Sequence, residues 1–238
     1  MFDPSKFTVE KARPIPVILL LDGSGSMFGE KITELNNAVA TMINTFKGEN
    51  AREVEIQVAV IIFGGGGAQL ALPLTPAKDI SSPHLEANGN TPMGAALSMA
   101  KEMIEDKTII PSKGYRPTVV LISDGEPNDS WEQPMNAFIT SGRTAKCDRM
   151  AMAIGTTQED PVLNKFLQGT ENKVFLAKDA AGIHTFFKMV TMSVSVRSRS
   201  ADPNKLLPFH PTAATAALGN AHTVQNSVLK AIDDMVDF

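Results

Sequence analysis

Two aspartates and three hydroxyl residues stand out by type and spacing. Asp22-Gly23-Ser24-Gly25-Ser26 follows an apolar run, Thr91 opens a helical pattern after Asn88-Gly89-Asn90, and Asp124-Gly125 closes another apolar run. All five side chains are hard oxygen donors with no imidazole or thiolate among them. The ion that suits them is Mg²⁺, with Mn²⁺ or Ca²⁺ as substitutes. Glycines at 23 and 25 let the first loop curl so that the alternate hydroxyls of Ser24 and Ser26 converge. Neutral hydroxyls leave such an ion only partly neutralised. An acidic oxygen from another molecule then completes its shell, which turns a cation site into a protein-docking site.

These residues need elements that bring them to one place. Continuous apolar runs of strand length occur at 16–21, 54–63, 118–122, 150–154 and 174–176, between helix-like stretches. Runs without polar alternation suit strands covered on both faces, so the chain reads as an α/β fold: Rossmann-like and doubly wound, with helices on both sides of a mostly parallel sheet. In parallel strands, Asp22 and Asp124 both emerge at the carboxyl edge, where open α/β sheets bind ligands. Four glycines, 64–67, link the second run to a short apolar stretch at 68–72. A link this short excludes a crossover helix and predicts one antiparallel edge strand. No Gly-Lys-Ser/Thr ending follows the glycines, so they are no Walker-type phosphate loop.

Ile32, Leu35, Val39, Met42, Ile43 and Phe46 repeat at helical spacing, as do Met93, Ala96, Leu97, Ala100, Met103 and Ile104. Pro92 at a first-turn position makes Thr91 the expected N-cap of the second of these helices. A third helix is expected near Asp129, capped by Asp129 and Glu132, a short fourth after Pro161, and a fifth over about 180–192. The composition changes at Arg197-Ser198-Arg199-Ser200, which reads as a linker with solvated arginines. A last amphipathic helix is expected over about 221–235, either packed back on the domain or docked on a partner. The expected division is a lead-in over 1–13, one domain over 14–196, and a linker with a helical extension over 197–238.

Composition narrows the function classes. The chain has 238 residues, 43% of them hydrophobic, and a net charge of −4, so a nucleic-acid footprint is not expected. Cys147 is the only cysteine, which rules out an intrachain disulfide and a cysteine cage, and it lacks an identifiable base for catalysis. The four histidines are dispersed and are expected in surface or structural roles. No apolar run approaches the roughly 18 residues of a membrane span, and the first residues lack the pattern of a secretory signal. The expected location is the cytoplasm.

The Asp-x-Ser-x-Ser element after the first strand, Thr91 in the second loop and Asp124-Gly125 after a later strand follow one another in an order that resembles the von Willebrand factor A domain family. The resemblance covers roughly residues 14–192 and includes that family's metal-ion-dependent adhesion site. It implies that Ser24, Ser26 and Thr91 contact the metal directly or through water, and that Asp22 and Asp124 often act through water. Within the family the chain looks most like bacterial intracellular TerY-type and YegL-type proteins associated with tellurium resistance. The residues that carry this likeness are Glu34-Leu35-Asn36-Asn37, Pro73-Leu74-Thr75, the stretch from Gly89 to Leu97, and Ser123-Asp124-Gly125-Glu126-Pro127. That likeness implies a stand-alone domain encoded beside protein kinase and phosphatase partners in stress or phage-defence loci.

The function expected is therefore a non-catalytic binding module in which a partner's Asp or Glu is captured through Mg²⁺. The competing reading is a Mg²⁺-dependent phosphohydrolase or phosphotransferase with Asp22 as nucleophile. Such enzymes need a second carboxylate two residues on, where this chain has Ser24, and no lysine is positioned in the sequence for a phosphate.

Overall fold

The computed structural model describes residues 12–49, 53–155 and 160–206. The chain runs β1 (Arg13–Gly23), α1 (Glu30–Lys47), β2 (Val54–Gly64), β3 (Gly67–Pro76), α2 (Met93–Glu105), β4 (Thr118–Ser123), α3 (Glu132–Thr140), β5 (Asp148–Ile154), α4 (Pro161–Phe166), β6 (Phe175–Ala177) and α5 (Ala180–Arg199). The strands form one sheet in the order β3-β2-β1-β4-β5-β6. All neighbours pair in parallel except β2 and β3, which form the antiparallel hairpin at the edge. The architecture is the doubly wound α/β sheet read from the apolar runs. The amphipathic stretch over 221–235, the lead-in over 1–11, and His210 and His222 lie outside the described residues.

Period-two alternation along the strands builds two cores. Ile15, Val17, Leu19 and Leu21 of β1 face one side with Val58, Val60, Val120 and Met152, under α1 and α5. Ile18 and Leu20 face the other with Ile61, Phe63, Leu121 and Ala151, under α2, α3 and α4. Burying one such side chain contributes about 1.5–3 kcal/mol, which is why β1, wholly apolar from Val17 to Leu21, forms the centre. In α1 the buried residues Ile32, Leu35, Val39, Met42, Ile43 and Phe46 lie on one stripe, with Glu30 in the first turn and Lys47 in the last, a distribution that suits the helix dipole. His184 of α5 meets Glu34 of α1 at 2.5 Å and joins the two helices over this face.

α5 extends beyond its expected end at Met192, to Arg199. The reading of Arg197 as a solvated arginine is corrected by the same helix. Its guanidinium is 1% exposed and donates to the Pro203 carbonyl, the Thr118 hydroxyl and the Arg116 carbonyl, with Asp148 at 3.7 Å. Ready acceptors and a nearby carboxylate offset the desolvation of a buried charge. Cys147 is buried in the core, and burial pushes its pKa up to about 12, which disfavours the reactive thiolate.

Candidate metal centre

The strand order reverses beside β1. The chain passes from β1 to β2 on one side and returns to place β4 on the other, so the loops leaving β1 and β4 diverge and open a crevice at the carboxyl edge. Asp22 stands at the end of β1, and Ser123 and Asp124 at the end of β4. The register pairs Leu21 with Ile122, which sets the two strand ends side by side.

Asp22 is fully buried and each of its carboxylate oxygens accepts a hydrogen bond. One oxygen accepts the Ser24 N–H at 2.8 Å and the other the Ser123 hydroxyl at 2.6 Å. Burial raises its pKa, the bonds from Ser123 and Ser24 oppose that rise, and the Asp124 charge adds to it. Asp22 thus holds the first loop in its curl. In that curl the Ser24 and Ser26 hydroxyl oxygens are 2.9 Å apart, and the Ser26 hydroxyl donates to Oδ1 of Asp124 at 2.6 Å. Ser24 is buried while Ser26 is exposed, so the cluster has a closed floor and an open mouth. Met27 is buried and pins the turn, whereas Phe28 beside it is 80% exposed.

Backbone contacts hold the second loop in place. The Gly25 N–H donates to the Gly89 carbonyl, the Asn88 N–H to the Gly23 carbonyl, and the Gly65 N–H to the Asn88 carbonyl. These approaches need glycine: a Cβ on Gly64 would lie 2.4 Å from the Gly23 carbonyl oxygen, and Gly89 has a φ of +64°. Part of the four-glycine run therefore serves close packing against the candidate metal loop. Asn36 of α1 braces residue 85 from below, donating to the Leu85 carbonyl and accepting its N–H.

Thr91 does not cap α2 as expected. The cap position falls on Pro92 without a side-chain bond, and the free N–H groups of Gly94 and Ala95 are taken by the two carboxylate oxygens of Asp129, each at 3.0 Å. Asp129 therefore caps α2 rather than α3, whose first turn has no side-chain cap. A carboxylate delivered from the β4–α3 loop satisfies two amides at once and leaves the Thr91 hydroxyl uncommitted to its own helix. Asn128 fixes the Thr91 backbone, accepting its N–H at 3.0 Å and donating its own to the Thr91 carbonyl at 3.2 Å. All three loops are thus joined, and Asp22, Ser24, Ser26 and Asp124 form one hydrogen-bonded chain beside the loop that carries Thr91. Glu126 is exposed.

Four participants, Lys31, Ser123, Asn128 and Asp129, are not marked as site residues by the sequence. Ser123 becomes visible once the register is known, Asn128 and Asp129 only once their loop is folded. Lys31, in the first turn of α1, donates to Oδ2 of Asp124 at 2.5 Å and to the Ser26 carbonyl at 3.3 Å. Beneath it the Asp124 side chain is 0% exposed.

The donors fit a hard dication. They are all oxygens, carboxylate and hydroxyl, the donor set that Mg²⁺ and related hard cations take. Among the described residues no three His, Cys, Asp or Glu side chains gather into a metal cage, so an ion here depends on the hydroxyls.

The family model described as von Willebrand factor type A domain matches residues 17–189. The chain is 27% identical over 144 residues to the magnesium-chelatase 60 kDa subunit of Rhodobacter capsulatus, a match covering 58% of this chain and 24% of that subunit. It spans about a quarter of that relative's length. Among solved structures, a von Willebrand factor type A protein from Catenulispora acidiphila aligns with a TM-score of 0.58 and 24% identity, over 76% of this chain and 42% of that one. The pilus adhesin SpaC from Lactobacillus rhamnosus GG, in its open conformation, aligns with a TM-score of 0.60 and 14% identity, over 78% and 30%. Proximal thread matrix protein 1 from the mussel byssus aligns with a TM-score of 0.54 and 18% identity, over 76% and 48%. At these identities the likeness is one of fold.

Proposed function

Because the chain belongs to the von Willebrand factor type A domain family, we propose that it is a non-catalytic, metal-dependent protein-binding module. Its ion is Mg²⁺, with Mn²⁺ or Ca²⁺ as substitutes, and its partner supplies an aspartate or glutamate. Ser24, Ser26 and Thr91 would hold the ion, with Asp22 and Asp124 behind them. The bound ion supplies an electrophilic position for the partner's carboxylate. The observation that carries this reading is the convergence of the Ser24 and Ser26 hydroxyls and the Asp124 carboxylate in the crevice, with the exposed Ser26 at its mouth.

Asp22 organises the loop, holding the Ser24 amide and the Ser123 hydroxyl. Its burial weighs against the phosphotransfer alternative, because a nucleophilic carboxylate needs an oxygen that can reach the substrate, and Asp22 is 0% exposed. The module, expected over 14–196, is taken to run on to the end of α5 at Arg199, which carries the buried Arg197, with the remainder to 238 as an extension, in a cytoplasmic protein. Among the described residues no helix is long and apolar enough to cross a membrane. The sequence likeness to TerY-type and YegL-type proteins supports a setting in bacterial stress, tellurium resistance or phage defence, with a protein kinase or phosphatase as partner.

The test is affinity capture with and without EDTA, run with wild type, Asp22→Ala and Ser26→Ala. Ser26 is exposed, so its variant keeps the fold even where Asp22→Ala loses it. Mg²⁺-dependent capture that vanishes in Ser26→Ala is the expected result. Capture indifferent to EDTA and to both substitutions overturns the reading.

A further inference from the structure

Lys31 is the one cation that touches the candidate metal cluster among the described residues, and its placement is built rather than incidental. It rises from the first turn of α1, and its stem runs past Gly155 at the end of β5, where a Cβ would lie 3.6 Å from the Lys31 Cε and 3.5 Å from its Nζ. Its ammonium ends on Oδ2 of Asp124 at 2.5 Å and within 3.3 Å of the Ser26 carbonyl oxygen. The other Asp124 oxygen accepts the Ser26 hydroxyl. The carboxylate is thus divided between a proposed metal ligand and a fixed positive charge, with its side chain out of solvent and Lys31 36% exposed above it.

We propose that Lys31 is a tethered counter-cation that sets the affinity of the site for its metal, competing with the dication for the charge of Asp124. This rests on the metal-binding reading above. A dication among the Ser24 and Ser26 hydroxyls draws on the same negative charge that Lys31 neutralises, and two cations a few ångströms apart in a part-buried crevice repel. Asp22 carries a negative charge as well, but it is 0% exposed and no cation contacts it among the described residues, so Lys31 bears on Asp124. Binding the ion therefore requires Lys31 to swing outward, and its exposure gives it room to do so. The chain by itself binds the ion more weakly than the same donors would without Lys31.

The experiment is a calorimetric titration of the full chain with Mg²⁺ and with Mn²⁺, without any partner, in wild type, Lys31→Met, Lys31→Gln, Lys31→Arg and Ser24→Ala. Circular dichroism melts of each variant establish that it folds. Lys31→Met and Lys31→Gln should bind about tenfold tighter or more, and Lys31→Arg should stay within about threefold of wild type, because charge and not side-chain shape is responsible. Unchanged or weaker binding in both neutral variants overturns the inference while leaving the metal site intact. If wild type, both neutral variants and Ser24→Ala all fail to bind either ion, the metal-binding reading falls and this inference with it.

Discussion

The Ser123 hydroxyl donates to Oδ2 of Asp22 at 2.6 Å, tying β4 to β1 where the strand order of the sheet reverses. Both residues are fully buried. Ser123→Ala leaves a buried carboxylate oxygen without its donor and should cost about 1–3 kcal/mol, read from urea denaturation. Ser123 opposes the rise in the Asp22 pKa, so the loss falls on the ionised form. The penalty should be largest at neutral pH and shrink once Asp22 is protonated. A pH-independent loss would show that the bond does not act through the carboxylate.

Asp129 caps a helix to which it does not belong. Replacing it with Ala frees the Gly94 and Ala95 amides of α2 and should destabilise the protein by about 0.5–2 kcal/mol, the range for a lost N-cap. Asn keeps one acceptor and should recover part of that loss. Equal stability of Asp129→Ala and wild type in chemical denaturation would refute the cap.

The glycines of the β2–β3 turn are not equivalent. A Cβ at Gly64 would lie 2.4 Å from the Gly23 carbonyl oxygen in the first site loop, whereas a Cβ at Gly66 meets nothing within 4 Å. Gly64→Ala should lower stability by about 1–3 kcal/mol through overpacking. Gly66→Ala should stay within about 0.5 kcal/mol of wild type, as open surface positions do. Thermal melts of the pair, compared directly, test whether this turn braces the loop.

Acid should loosen the corner after α3. Burial pushes the Glu105 carboxyl up, but the Arg143 and Thr144 N–H groups and Lys101 together outweigh it, and its pKa lies below the ordinary 4.5. A depressed folded value means that its stabilising contribution is complete above 4.5 and disappears as pH falls through the lower folded value. In melts followed across pH, wild type should therefore exceed Glu105→Gln at near-neutral pH, and the gap should close below about 4.5. A gap that widens on acidification would contradict the sign.

Much of the fold follows from pattern alone. Buried parallel strands cannot tolerate polar alternation, so the runs at 16–21, 118–122 and 150–154 announced themselves, and a four-glycine link left no room for a crossover helix. Asp22, Ser24, Ser26 and Asp124 were legible for a similar reason: each stands on or just after the end of an apolar strand. What the pattern lacked was long-range hydrogen bonding. Asp129 has the spacing of a local cap for α3, yet its carboxylate satisfies α2, because loop geometry decides which free amides it reaches. Arg197 looks solvated in a polar run, but one more helical turn carries it beneath β4 and β5, where Thr118 and two carbonyls receive it.

The sequence by itself determined the layered α/β sheet and a set of oxygen donors, because burial period and side-chain chemistry are properties of short stretches of chain. Only the tertiary structure decided what each donor does. Asp22 is tied up by Ser123, the Thr91 hydroxyl is left uncommitted because Asp129 caps its helix, and Asp124 carries Lys31. Partners separated by 93 to 101 residues in the cases of Lys31 with Asp124 and Asp22 with Ser123 meet only because the sheet reverses its strand order between β1 and β4.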